Sequence, residues 1–305
     1  MGVGASVGTS AKEDQAPGAL RLELALSCVV DAEAIISTAE AAGRAILAIY
    51  TSDSASWGVE LKSDASPLTK ADLAANSIIC SELMRLTPHI PVVSEETPLL
   101  PHDVRKSFQY FWLVDPLDGT KEFLKRNGEF TVNIALMGKD GPVLGVVHVP
   151  CTSKTYWAVK GQGAWLRNNG AKDVRLKVAQ FKLDQPGLKI VGSNSHSSAE
   201  TKEFVDMFKG PELKQVGSSI KLLMVAEGSA HMYPRLAPTC EWDTAAADIV
   251  VREAGGVVLQ AGLCDNQGKA LEDWREALAK EIPVKYNKPD ILNPYFVVFG
   301  ERISA

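Results

Sequence analysis

Trp112-Leu113-Val114-Asp115-Pro116-Leu117-Asp118-Gly119-Thr120 is the stretch on which the reading of this chain turns. The apolar run Tyr110 to Val114 has the content of a strand that delivers Asp115 at its end. Pro116 fixes the backbone beyond it, Asp118 follows, and Gly119-Thr120 opens the next turn. Two carboxylates on one tight turn repel each other unless a cation lies between them. An all-oxygen set of this kind suits a hard divalent cation such as Mg²⁺. The stretch therefore points to metal-assisted chemistry, with further ligands to come from elsewhere in the chain.

At 305 residues the chain has room for two domains, or one large one, around a sizeable core. Its 46% hydrophobic and 23% charged content is that of an ordinary soluble globular protein. A net charge of −5 offers no basic footprint for nucleic-acid polymers, although an anionic small molecule remains compatible because a bound metal can invert the local field. Cys28, Cys80, Cys151, Cys240 and Cys264 are odd in number and form no Cys-x-x-Cys pair. Neither structural zinc nor a disulfide framework is expected, and a reducing, cytoplasmic location fits best. No run of ~18 apolar residues is present to span a membrane. Residues 1–18, rich in Gly, Ala and Ser, read as a disordered arm without the apolar core of a secretory signal. The arm opens Met1-Gly2-Val3-Gly4-Ala5-Ser6, which matches the short N-myristoylation pattern at Gly2. A flexible Gly-initiated tail is the simpler reading, and one myristoyl chain alone would anchor only marginally.

Periodicity predicts a helix within residues 20–50, with Leu24, Cys28, Ile35, Ala39 and Ile46 near one face. A second helix is expected over Thr69–Leu86, and strands over Ile90–Val93, Tyr110–Val114, Phe130–Met137, Val143–Val149 and Tyr156–Val159. This half, residues 19–182, reads as an α+β domain with helices on a largely antiparallel sheet. Residues 183–305 alternate instead: strands at Lys189–Gly192, Leu213–Val216, His231–Leu236, Val257–Gln260 and Phe296–Phe299, and helices at Glu200–Phe208, Ser219–Ala226 and Glu241–Ala254. That pattern suggests a second α/β layer. The charged segment Glu272–Pro283 reads as a helix-like insertion of open role.

Further carboxylates lie where a metal site needs them. Glu95 and Glu96 sit just past a strand end, Asp243 begins an Ala-rich helix in Glu241-Trp242-Asp243, and Asp64 lies in Lys62-Ser63-Asp64-Ala65-Ser66-Pro67. Singly, each has a plain explanation as a solvated pair, a helix-dipole partner or a turn residue. Together, Ser94-Glu95-Glu96-Thr97, Asp115-Pro116-Leu117-Asp118-Gly119-Thr120 and Glu241-Trp242-Asp243-Thr244-Ala245-Ala246-Ala247 resemble the lithium-sensitive, Mg²⁺-dependent inositol monophosphatase superfamily, in its order and over roughly residues 30–300. The resemblance implies a layered α/β/α/β/α sandwich with the site between its halves. It implies Glu95, Asp115, Asp118, Asp243 and the Leu117 carbonyl as ligands of two or three Mg²⁺ ions. It further implies that Thr120 pairs with Asp64 to orient and deprotonate the attacking water, and that the Gly119 and Thr120 amides hold phosphate oxygens.

Two other phosphate chemistries are excluded by pattern. An Asp-x-Asp-Gly-Thr phosphatase would need a nucleophilic Asp where Pro116 stands, and no Gly-x-x-x-x-Gly-Lys-Ser/Thr loop exists. Gly161-Gln162-Gly163 lacks the third Gly of a dinucleotide fingerprint. Within the superfamily, Lys121-Glu122-Phe123 with Asn127-Gly128-Glu129-Phe130, and the segments around Ser193, Ser218 and Arg235, are similar to the 3′(2′),5′-bisphosphate nucleotidase branch. Ser193, His196, Ser218, Ser219, Lys221 and Arg235 are then candidates for a nucleotide and its second phosphate. Ser218-Ser219 also reads as a helix cap, Lys221 as a solvated helix residue and His196 as a surface histidine. Hydrolysis of the 3′-phosphate of 3′-phosphoadenosine 5′-phosphate, and of its sulfated relative, is the expected activity. Action on inositol phosphates is the alternative, and an inactive nucleotide sensor the reading from another class. Oligomeric state is open.

Overall fold

The computed structural model describes residues 21–23, 29–62, 66–193, 198–263 and 269–304. The expected arm over 1–18, Gly2, Asp64 and His196 lie outside them.

The chain opens with a two-stranded antiparallel pair, β1 (Arg21–Glu23) and β2 (Val29–Asp31), and then helix α1 (Ala32–Tyr50). The helix expected within residues 20–50 is thus shorter than its window. Asp31 ends the strand and caps the helix, its carboxylate accepting from Glu33 N at 3.0 Å, so helical geometry starts only at Ala32. A small hairpin, β3 (Glu60–Leu61) with β4 (Pro67–Leu68), precedes α2 (Lys70–Leu86). A reciprocal box starts that helix, where Thr69 caps Ala71 N and the Asp72 carboxylate returns to Thr69 N.

Seven strands follow in one sheet: β5 (Val92–Ser94), β6 (Phe111–Asp118), β7 (Thr131–Gly138), β8 (Gly141–Val149), β9 (Lys154–Val159), β10 (Ala164–Asn168) and β11 (Val174–Arg175). Short helices α3 (His102–Arg105) and α4 (Thr120–Leu124) lie before and after β6. The sheet runs in sequence order and is antiparallel except for β5 beside β6. After β12 (Gln180–Phe181) come β13 (Lys189–Ser193), α5 (Ala199–Asp206), β14 (Glu212–Val216), α6 (Ile220–Ala226), β15 (Met232–Arg235), α7 (Glu241–Glu253), β16 (Val257–Gln260), α8 (Trp274–Ala279), β17 (Phe296–Phe299) and β18 (Glu301–Arg302). Five of these strands form the second sheet, in the order β14-β13-β15-β17-β16. The segment read as a charged insertion holds α8 and buries Trp274.

Three apolar clusters define the layers. On β6 and β7 the odd and even side chains part company, as a period of two requires. Trp112, Val114, Val132 and Ile134 join α1 and α2, whereas Leu113, Ala135 and Met137 join α6 and α7. The α6–α7 cluster continues into Val191, Tyr233 and Val298 of the second sheet, whose other face packs on Phe204 and Trp274 of α5 and α8. The result is the layered α/β/α/β/α sandwich. β6 is buried without alternation because helices cover both of its faces.

One buried polar chain tests the α1–sheet contact. His148 on β8 gives its Nδ1 hydrogen to Thr155 Oγ1 at 2.9 Å, and that hydroxyl donates to Glu40 of α1 at 3.2 Å. Burial, then the Arg44 charge, push the imidazole pKa down to about 4. The unfolded chain therefore binds this proton first as pH falls through ~6.5. The expected result is a loss of folding stability between about pH 6.5 and pH 4, worth up to ~3 kcal/mol, from this residue. Urea denaturation at stepped pH should show a flatter profile for His148→Gln; equal slopes would remove His148 as the cause.

Candidate active site

The site is built where β6 stops pairing regularly. Asp115 faces Asn133 and Asp118 faces Thr131, so Pro116 and Leu117 oppose only Val132 and the strand bulges. The bulge turns both carboxylates to the same side. Gly119 completes the turn at φ +95°, and a Cβ there would meet Glu129 O at 3.0 Å and Ser218 Cβ at 3.2 Å. α7 brings in Asp243 from the other half, and ligand atoms of Asp115, Asp118 and Asp243 all lie within 4.8 Å of one another.

Each carboxylate is anchored through one oxygen. Asp115 Oδ1 accepts from Leu117 N at 3.0 Å, and Asp243 Oδ2 from Cys240 N at 2.8 Å. Asp118 Oδ2 accepts from Ser219 N at 2.6 Å, Ser218 Oγ at 2.7 Å and Ser219 Oγ at 2.9 Å. Asp243 thus both complements its helix N-terminus and joins the cluster. Glu95 follows β5, its amide bonded to Val114 O, and its carboxylate interacts with Asp115. Burial and then the charges of Glu95, Asp118 and Asp243 raise the Asp115 carboxyl well above its ordinary range. Burial, Asp118 and Glu95 do the same to Asp243. A cluster that resists its own ionisation in this way fits a divalent cation, which would relieve that repulsion, and its donors are all oxygen.

At the edge of the cluster the Lys62 ammonium bridges Glu95 at 2.7 Å and Glu96 at 2.6 Å. Glu96 is therefore half of an ion pair with Lys62. Thr120 Oγ1 lies 3.2 Å from Asp72 Oδ1 and 3.4 Å from Leu117 O. Among the described residues the carboxylate beside Thr120 is Asp72; Asp64 lies outside them. Asp72 is 1% exposed and takes two further hydrogen bonds from Thr69. The Thr69-x-x-Asp72 spacing announced a helix start; nothing local announced that its free oxygen reaches the site.

A cavity of about 510 Å³ is lined by Asp118 and Asp243 of the cluster together with Thr120, Ser193, Lys221, Tyr233 and Arg235. Lys221 is not a solvated helix residue. It is 4% exposed, donates to Ser218 O at 2.6 Å and Val216 O at 3.2 Å, and lies 5.4 Å from the Tyr233 ring centroid. Burial and then Arg235 push its pKa down to about 8. Arg235 donates to Pro238 O at 2.7 Å, while its buried Nε–H has no partner among the described residues. Ser219 occupies the N-cap position of α6 but makes no side-chain cap bond. Ser218 sits at φ +55°, strained for a residue with a side chain, and is held there by Asp118 and by Thr131 at 2.7 Å.

Comparison with known proteins agrees with this architecture. The model of the inositol monophosphatase family matches residues 30–293. The chain belongs to the inositol monophosphatase family. It is similar to the 3′(2′),5′-bisphosphate nucleotidase CysQ of Escherichia coli K12, 44% identical over 78% of this chain and 92% of that one. The corresponding protein of Aggregatibacter actinomycetemcomitans is 33% identical over 87% and 90%. Among solved structures, CysQ from Bacteroides thetaiotaomicron superposes with a TM-score of 0.74 at 41% identity, covering 89% of this chain and 97% of that one. An inositol monophosphatase from Anabaena (Nostoc) shares the fold at 20% identity, with a TM-score of 0.61 and coverage of 88% and 89%. As a member of this family the chain is a phosphatase, and the acidic cluster could hold its metal. Among the described residues no helix is long and apolar enough to cross a membrane.

Proposed function

We propose that this phosphatase is a Mg²⁺-dependent 3′(2′),5′-bisphosphate nucleotidase that removes the 3′-phosphate of 3′-phosphoadenosine 5′-phosphate to leave AMP. Glu95, Asp115, Asp118, Asp243 and the Leu117 carbonyl would hold two or three Mg²⁺ ions, one position being open to Li⁺. When bound, the cations supply charge that stabilises the phosphoryl oxygens and favours hydroxide over water.

The chain's own groups do the rest. The Thr120 hydroxyl donates to Asp72, which leaves the Thr120 oxygen as an acceptor that can orient a water proton. Asp64 would accept the other proton of that water and so be the eventual base. Amides of Gly119 and Thr120, at the turn into α4, would bind phosphate oxygens. The observation that carries the choice of substrate is the pair of cations, Lys221 and Arg235, in the lining of the same cavity as the carboxylates. A monophosphate of a neutral polyol gives Lys221 and Arg235 no second anion to meet, whereas a bisphosphate brings one. The partnerless Arg235 Nε–H supports that reading, as do the activities named for the CysQ relatives. Ser193 and His196 would then lie along the nucleoside.

Phosphate release from 3′-phosphoadenosine 5′-phosphate and from inositol 1-phosphate, measured in parallel, tests this. The expected result is a preference for the nucleotide that chelator abolishes and Li⁺ suppresses. A preference for inositol 1-phosphate would overturn the assignment of Lys221 and Arg235, and release in the presence of chelator would overturn the metal chemistry.

A further inference from the structure

We infer that Ser219 is a positioning residue for the Asp118–Asp243 pair, and that its hydroxyl sets how tightly the acidic cluster holds a divalent cation. The inference rests on the metal reading under Proposed function, but not on which phosphate ester is the substrate. Ser219 is 2% exposed and lies between three elements. Its amide and hydroxyl reach Asp118 Oδ2 of β6 at 2.6 Å and 2.9 Å. The hydroxyl also reaches the main-chain oxygen of Asp243, on the first turn of α7, at 2.6 Å. From β7, Asn133 Nδ2 donates to the same hydroxyl oxygen at 3.0 Å, and Thr131 Oγ1 donates to Asn133 Oδ1 at 2.9 Å.

A serine hydroxyl has one proton and two lone pairs. Here the proton has two acceptors in reach, Asp118 Oδ2 and Asp243 O, while Asn133 occupies the accepting side. Whichever acceptor takes the proton, the oxygen stays wedged between the two carboxylate-bearing segments. The amide and the Ser218 hydroxyl then complete the set on Asp118 Oδ2, which leaves Oδ1 as the oxygen available to a cation. One loop of the second sheet thereby fixes the spacing of ligands that come from different halves of the molecule. Groups that orient ligands in this way typically govern metal affinity by about 10–100-fold. With its hydroxyl so engaged, Ser219 acts through Asp118 and Asp243 and not on the phosphate.

Calorimetric titration of the full chain with Mg²⁺ tests the inference, with the Mg²⁺-induced rise in melting temperature as a second readout. Ser219→Ala is expected to weaken Mg²⁺ binding by about 10-fold or more with an unchanged circular dichroism spectrum. Asn133→Ala, which withdraws the donor from the other side, should weaken it in the same direction. The double variant should lose less than the product of the two single losses, because one wedge is removed twice. If Ser219→Ala fails to fold, the Asn133→Ala titration decides alone. Mg²⁺ affinities within twofold of the wild type would overturn the role. So would a raised KM for the phosphate ester at saturating Mg²⁺ with unaltered Mg²⁺ affinity, since that marks a direct phosphate contact. Absence of Mg²⁺ binding by the wild-type chain would instead overturn the metal reading itself.

Discussion

Asp115→Asn is expected to lower phosphate release by at least about 10³-fold while the chain still folds, on the scale seen when an organised electrostatic partner is removed from a reacting centre. The side chain is 1% exposed, and the amide preserves its shape and its acceptor for Leu117 N. What disappears is one negative charge at the centre of a cluster that contains Glu95, Asp118 and Asp243. The same change has a second signature. A carboxyl whose folded pKa is raised stabilises the fold fully below its ordinary value of ~3.9 and loses that contribution as pH rises through the folded value. At neutral pH in chelator, Asp115→Asn should therefore melt above the wild type. In millimolar Mg²⁺ the order should narrow or invert, because cation binding stabilises the protein that has the better site. Unchanged turnover in the variant would overturn the assignment of Asp115. A lower melting point in chelator would show that repulsion does not govern the cluster.

The second large effect lies away from the chemistry. Gly145→Ala on β8 is expected to cost about 3 kcal/mol, at the upper end of overpacking losses, and to lower the melting temperature by roughly 5 °C. A Cβ at this position would stand 2.3 Å from Ala246 O and 2.5 Å from Ile249 Cγ2. The first of these atoms is helix backbone, so relief requires α7 to move as a body away from the sheet. Asp243 sits on the first turn of that helix, and the displacement should reduce kcat as well as stability. Thermal melts with initial rates at saturating Mg²⁺ check both. A variant as stable and active as the wild type would show that the α7–β8 contact yields at little cost.

How far each part of this molecule was legible depended on the distance over which its cause acts. The α2 boundary was correct to one residue because Thr69 and Asp72 cap it locally. The start of α1 was misplaced because the residue that ends β2 is also the helix cap, and periodicity alone does not register that competition. β10, β11, β12 and β18 were not anticipated, since such short strands are stabilised by their neighbours more than by their own composition. Ser219 illustrates the same limit in the site. As a residue before a helix it reads as a cap, yet its hydroxyl is engaged by Asp118 and Asp243, which lie 101 and 24 residues away in the chain.

By itself the sequence determined the family, the layered fold and the carboxylates from which a metal site can be built. Those properties rest on local patterns: an apolar strand ending in Asp115, a Pro-fixed turn carrying Asp118, and Asp243 opening a helix. Tertiary structure alone decided which oxygens remain available. The register of β6 on β7 places Asn133 opposite Asp115, and the approach of the second sheet puts Ser218 and Ser219 on Asp118. Burial of Lys221 beside Tyr233 and Arg235 put into the cavity lining a lysine that reads as a solvated helix residue in the linear chain. Hydrogen-bond partners are chosen by proximity in the folded core, where every buried polar group must find one, and that proximity comes from the packing of all the layers together.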